Sequence, residues 1–152
     1  MTIKSLSTAA FLAVTTALAA PSFADTVTLD LWSRADRSGP LRAGNIVTAA
    51  QQLNRMFEAA GSDTRVEINL VETNNKGFDA DALALLKAHS IGETPDIAVA
   101  AHEWIGSFVE AGCAANLEEH IAAAPWFSAD MIPYLSTSVM YKGQPYGIPQ
   151  DS

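Results

Sequence analysis

Three stretches with strand character, each followed by a stretch with helix character, constrain this chain more than anything else in it. Val27-Thr28-Leu29-Asp30-Leu31-Trp32 alternates apolar and polar residues, the period of a strand with one covered face. Ser38-Gly39-Pro40 then opens a helix, because proline suits a first turn. Ile46, Ala50, Leu53, Phe57 and Ala60 form one apolar stripe along it, and Gly61 is its expected C-cap. Val66-Glu67-Ile68-Asn69-Leu70 alternates again as a second strand. A turn-rich loop follows, Thr73-Asn74-Asn75-Lys76-Gly77, after which Asp79 is placed to cap a helix through Ala82, Leu83, Leu86 and His89.

Gly92-Glu93-Thr94-Pro95-Asp96 breaks the chain once more. Ile97-Ala98-Val99-Ala100 is a short apolar run that suits a strand buried on both faces. A short helix through Ile105, Phe108 and Val109 is closed by Gly112, and Asn116 and Glu119 have capping-box spacing for the next. Ser128 to Met140 reads as helical, bent or delayed by Pro133. Tyr141-Lys142-Gly143-Gln144 reads as a hairpin turn with Lys-Gly at its centre.

Strand and helix alternating three times is the signature of an α/β fold with a mainly parallel sheet flanked by helices. In such sheets ligands bind beyond the carboxyl ends of the strands, at a topological switch point. Three segments hold that position: Trp32 to Ser38, Asn74 to Phe78, and His102 to Trp104.

The first 24 residues stand apart from this pattern. Lys4 precedes an apolar run from Ala9 to Ala20, too short to span a bilayer but suited to the core of a secretory signal. Pro21 breaks it, and Ser22-Phe23-Ala24 supplies a small-x-small cleavage site. A cleaved signal peptide over 1–24 and a mature chain from Asp25, exported from the cytoplasm without a lipid anchor, are therefore expected; the single cysteine, Cys113, is far from the cleavage point. No later segment is expected to cross a membrane. At its other end the chain finishes in an apolar, strand-like segment, Tyr146-Gly147-Ile148-Pro149-Gln150-Asp151-Ser152, which reads as an interruption inside a domain.

Charge and motifs remove several classes of function. With 9 Lys+Arg against 17 Asp+Glu, a net charge of −8, the chain cannot neutralise a run of phosphates, so nucleic acid is not an expected partner. It contains no Gly-x-Gly-x-x-Gly, no P-loop and no Gly-x-Ser-x-Gly. His102-Glu103 begins like a zincin, but Gly106 stands where the second histidine belongs, and His89, His102 and His120 lack metal-ligand spacing. Asp79 and Asp81 read as helix-start acids, and Cys113 as a buried structural thiol. No catalysis, metal or cofactor is expected.

The strand-end loops instead place aromatics beside charges. Trp32 precedes Arg34, Asp36 and Arg37; Trp104 follows His102 and Glu103; Asp151 follows Gln150. Sugars bind to such mixtures, because charged groups fix vicinal hydroxyls and an aromatic ring covers the apolar C–H face of a pyranose. Each residue also has a plainer reading: Trp32 and Trp104 as core, Arg34 and Arg37 as solvated charges, His102 as a helix cap, Trp126-Phe127 as packing.

These residues resemble those of the periplasmic solute-binding proteins of ABC importers, in the maltose-binding-protein-like, family 1 class. Leu31-Trp32-Ser33-Arg34-Ala35-Asp36-Arg37 looks like that family's first strand and ligand loop. Gly92-Glu93-Thr94-Pro95-Asp96-Ile97 resembles its G-x-x-P-D-I/V turn into a strand. Ala101-His102-Glu103-Trp104-Ile105-Gly106-Ser107-Phe108, with Ala111-Gly112, resembles its A-H-D/E-x-x-G-x-F/Y stretch. Phe127, Pro133, Val139, Tyr141 and Gly143 fall in its register before a hairpin, and Tyr146-Gly147-Ile148-Pro149 is similar to its Y-G/A-x-P segment.

The resemblance spans Thr26 to Ser152 and implies a type II periplasmic-binding-protein-like fold, with 25–152 as an incomplete N-terminal lobe of a two-lobed binder. It implies ligand contacts from Arg34, Asp36, Arg37, Glu103, Trp104 and Asp151, to which the reading of the strand-end loops adds Trp32 and His102. It also implies a carbohydrate-like ligand, a permease partner, no enzymatic step, and a monomer when full length. Trp104 replaces an arginine of maltose binders and Arg34 a smaller polar residue, which counts against maltose itself. Two arginines near a helix start would also suit a phosphorylated or acidic sugar. The rival readings are a truncated relic exposing an unfinished sheet and a periplasmic α/β enzyme, which would need a nucleophile–base pair.

Overall fold

A computed structural model describes residues 25–34, 39–73, 77–124 and 137–150. The signal segment, Asp36, Arg37, Trp126, Phe127, Pro133 and Asp151 lie outside the described residues, as does most of the helix expected between Ser128 and Met140. Met140 itself opens a strand instead of ending a helix.

The elements run in the expected order. Strand β1 (Asp25–Arg34) leads to helix α1 (Gly39–Ala59), strand β2 (Thr64–Thr73), helix α2 (Phe78–Ser90) and strand β3 (Ile97–Ala98). A single 3-10 turn, His102–Trp104, runs directly into helix α3 (Ile105–Glu110), followed by helix α4 (Glu118–Ala122). Strands β4 (Met140–Tyr141) and β5 (Gln144–Pro145) close the described chain as a hairpin.

The main sheet is parallel, in the order β2-β1-β3. Leu31 sits at its centre, in register with Leu70 on one side and Ile97 on the other, and is 0% exposed. The first crossover moves one way from β1 and the second moves back past it. Right-handed connections then place α1 and α2 on opposite faces, with the switch point between β1 and β3. Helix α1 packs along β1 and β2. The α2 face carries a core of Ala82, Leu85 and Phe108, against which Trp32, Leu86, Trp104, Cys113 and Ala114 pack.

Four local expectations are corrected. The α2 stripe is Ala82, Leu85 and Ala88, with Leu83 left 58% exposed, because this helix is apolar on most sides and the position of Trp32 and Phe108 decides which side is covered. Gly77, at φ 98°, occupies the position before α2, so Asp79 lies in the first turn and is not the cap. The capping box expected of Asn116 and Glu119 is not formed: Leu117 is the N-cap of α4 without a side-chain cap bond, and Asn116 Oδ1 instead accepts the Glu118 N–H at 2.8 Å from one position further out. The β3 ladder is only Ile97–Ala98, half-buried and exposed, not a strand buried on both faces, and it pairs along one edge with β1. The backbone pairing does extend one step further, as Val99 N donates to the Trp32 carbonyl at 2.9 Å.

Other expectations hold. Gly61 and Gly112 follow α1 and α3 at φ 71° and 76°, the left-handed geometry that ends helices. Lys142 and Gly143, at φ 49° and 79°, form the two-residue turn with positive φ at both positions that matches strand twist. Cys113 is half-buried, and burial pushes its thiol pKa up, as suits a packing residue.

Candidate functional site

The parallel sheet sends the ends of β1, β2 and β3 to one edge of the molecule, and the side chains there are tied together by the first turn of α2. Arg34 ends β1 and is 9% exposed. Its Nε lies 3.3 Å from Asp81 Oδ2, and its guanidinium stacks 3.8 Å from the centroid of the Phe78 ring. The expectation that Arg34 could be a solvated charge is therefore corrected: a buried guanidinium needs a counter-charge, and α2 supplies one beside an aromatic face.

Asp81 is shared. Thr73, the last residue of β2, donates from Oγ1 to Asp81 Oδ1 at 3.0 Å, and the same oxygen lies 3.4 Å from the Ser33 carbonyl. The neighbouring carboxylate, Asp79, accepts the Trp104 indole N–H at 3.0 Å on Oδ1. The two acids of the first α2 turn thus hold the end of β1, the end of β2 and the 3-10 turn after β3. Negative charge is also favoured there by the amide groups of the helix start.

Two shallow clefts open at this edge. One is lined by Ser33, Arg34, Arg42, Phe78, Val99 and Ala100. The other meets it at Ser33, Val99 and Ala100 and adds Trp32, Thr73, Asp81 and Leu85. Their volumes, about 10 and 20 Å³, correspond to one water molecule each. A drug-sized ligand fills roughly 300 Å³ or more, so the described residues present a binding floor and not a closed pocket.

The expected ligand residues divide accordingly. Trp32 and Trp104 are half-buried and pack against the Ala82–Leu85–Phe108 core while standing at the strand ends. His102 and Glu103 are exposed beside them, with His102 Nδ1 3.8 Å from Glu103 Oε2. Asp36, Arg37 and Asp151 lie outside the described residues. Sequence reasoning placed Ser33 and Phe78 within the strand-end segments but gave neither a role, did not include Thr73, and treated Asp81 only as a helix-start acid. The spacing of Thr73 and Asp81 around a tight loop was the available signal, but the partner of Asp81 is set by the sheet order. Among the described residues no three His, Cys, Asp or Glu side chains cluster as metal ligands. No described helix is long and apolar enough to cross a membrane.

No family model matches the chain. Solved structures do. The galacto-N-biose/lacto-N-biose I-binding protein of the ABC transporter from Bifidobacterium longum, in complex with lacto-N-biose, is 17% identical with a TM-score of 0.60, covering 84% of this chain and 29% of that one. The maltotriose binding protein of Thermus thermophilus, bound with maltotriose, is 21% identical with a TM-score of 0.53, covering 80% and 28%. An ABC transporter solute binding protein from Thermotoga lettingae, bound with α-D-tagatose, is 25% identical with a TM-score of 0.51, covering 83% and 29%. The fold is thus periplasmic-binding-protein-like, and the chain spans less than a third of the length of these structures.

Proposed function

We propose that this chain belongs to the solute-binding component of an ABC importer, secreted to the periplasm by a signal peptide over 1–24, and that it captures a sugar or sugar-derived ligand. The observation that carries the reading is the meeting of the β1 end, the first turn of α2 and the 3-10 turn after β3, with guanidinium, carboxylate and aromatic groups, at the β1/β3 switch point. Likeness to sugar-bound transport proteins over about four-fifths of the chain supports it. In this reading the ring of Trp104 offers an apolar face, since its indole N–H is committed to Asp79, and Glu103 fixes hydroxyls. Trp32, Arg34, His102, Asp36, Arg37 and Asp151 complete the ligand set. Closure of a second lobe over this floor supplies the rest of the pocket, and delivery to a permease needs no bond-making step.

The test is calorimetry on the natural protein recovered from the periplasm, with maltotriose, lacto-N-biose, α-D-tagatose and a hexose phosphate. Saturable binding of one of them, weakened by Glu103→Ala, is expected. Binding of none would sink the reading. A preference for the phosphate, lost when Arg34 and Arg37 are both replaced by alanine, would identify an anionic sugar. The intact mass of the same sample is expected at roughly two to three times the 16.1 kDa of this chain, as a two-lobed binder requires. A mass just under 16.1 kDa would remove the clamp mechanism.

A further inference from the structure

We infer that Asp79 and Asp81 are positioning residues of this ligand site: one turn of α2 sets the orientation of Trp104 from the β3 side and of Arg34 from the β1 side. The inference rests on the sugar-binding reading and deepens it. Asp79 is exposed and is not required by the fold in the way a core residue is, whereas the Asp81 side chain is 12% exposed and supplies the counter-charge of the buried Arg34. Asp79 reaches 25 residues along the chain to take the indole N–H at 3.0 Å. Asp81 takes the Arg34 Nε side at 3.3 Å and the Thr73 hydroxyl at 3.0 Å.

Chemistry explains why carboxylates suit both tasks. An indole has one donor, so a single acceptor fixes the rotation of the ring about its remaining freedom. A guanidinium stacked on Phe78 still slides across the ring face until an anion pins one edge. Both constraints originate on a helix anchored in the core by Ala82 and Leu85, so the two side chains are held by one rigid element although they come from different loops. Loss of Asp79 leaves the Trp104 ring packed against the core but without the acceptor that sets its orientation, which weakens binding without removing a contact; loss of Asp81 also removes the counter-charge beside a buried guanidinium and costs fold stability.

The experiment uses the natural protein with the same sugar panel and compares Asp79→Ala, Asp79→Asn and Trp104→Phe. Asparagine keeps an oxygen at the Oδ1 position and can accept the same indole proton. The expected result is affinity weakened about tenfold in Asp79→Ala and restored in Asp79→Asn. Trp104→Phe, which lacks the donor, should make Asp79→Ala nearly neutral when the two are combined. In parallel, the Trp104 indole N–H resonance should shift and exchange faster in Asp79→Ala only. If the natural protein binds a sugar and Asp79→Ala binds it equally well, the positioning role is overturned while sugar binding stands. If asparagine fails to restore affinity although the protein melts normally, positioning through the indole is overturned as well. If the natural protein binds none of the sugars, both the functional reading and this inference fall together.

Discussion

Asn54 shows how much a single side chain settles here. From α1 its amide donates to the Val66 carbonyl and accepts the Val66 N–H, both at 2.7 Å, on the outermost strand of the described sheet. The side chain acts as one more strand residue and blunts the open edge of β2. Gly106 matters for the opposite reason, having no side chain. A Cβ there would come within 2.9 Å of the Tyr141 ring, whose hydroxyl donates to Glu110 Oε1 at 2.7 Å. Gly106→Ala is expected to destabilise the protein by about 1–3 kcal/mol, since the ring must move and its hydrogen bond must stretch. A denaturant midpoint unchanged by the substitution would contradict this. The glycine was visible as part of the loop pattern after β3, but its partner lies 35 residues on, in a hairpin whose docking no local pattern announces.

At the scale of elements, the hairpin and α3 are joined by a surface triad whose titration can be read. Lys142 donates to Glu110 Oε1 at 2.7 Å and Tyr141 does the same at 2.7 Å. The Lys142 hydrogen bond, then that of Tyr141, holds the Glu110 carboxyl below its ordinary 4.5. The bond to Glu110 raises Tyr141 above 10.0 and Lys142 above 10.5. A lowered acid stabilises the fold above 4.5 and loses that contribution as pH falls through its lowered value. The raised groups stabilise below 10.0 and 10.5 and lose it as pH rises through their raised values. The melting-temperature difference between the natural protein and Glu110→Gln should therefore be flat across neutral pH and shrink at both extremes. A difference that grows toward acid would reverse the assignment. Because the triad is exposed, salt should reduce the difference throughout.

The molecule as a whole is built around β1, which pairs with β2 along its full length and with β3 at Leu31 and Trp32. Native-state hydrogen exchange is expected to be slowest in β1 and fastest in the β4–β5 hairpin, which has two residue pairs. Equal protection in the two would show that the sheet is not the stability centre. Alternation of strand and helix periods, the positive-φ glycines and the Lys142-Gly143 turn were legible in the sequence because each depends on the residues that carry it and their immediate neighbours. The edge to which all three strand ends run was legible too, since parallel strands must point the same way. What only the tertiary structure decided is which of the several apolar sides of α2 turns inward, how short β3 is, and that Arg34 and Trp104 are held by Asp81 and Asp79. Those outcomes depend on elements far apart in the chain meeting across the sheet, where covering Trp32 and neutralising a buried guanidinium outweigh any local preference.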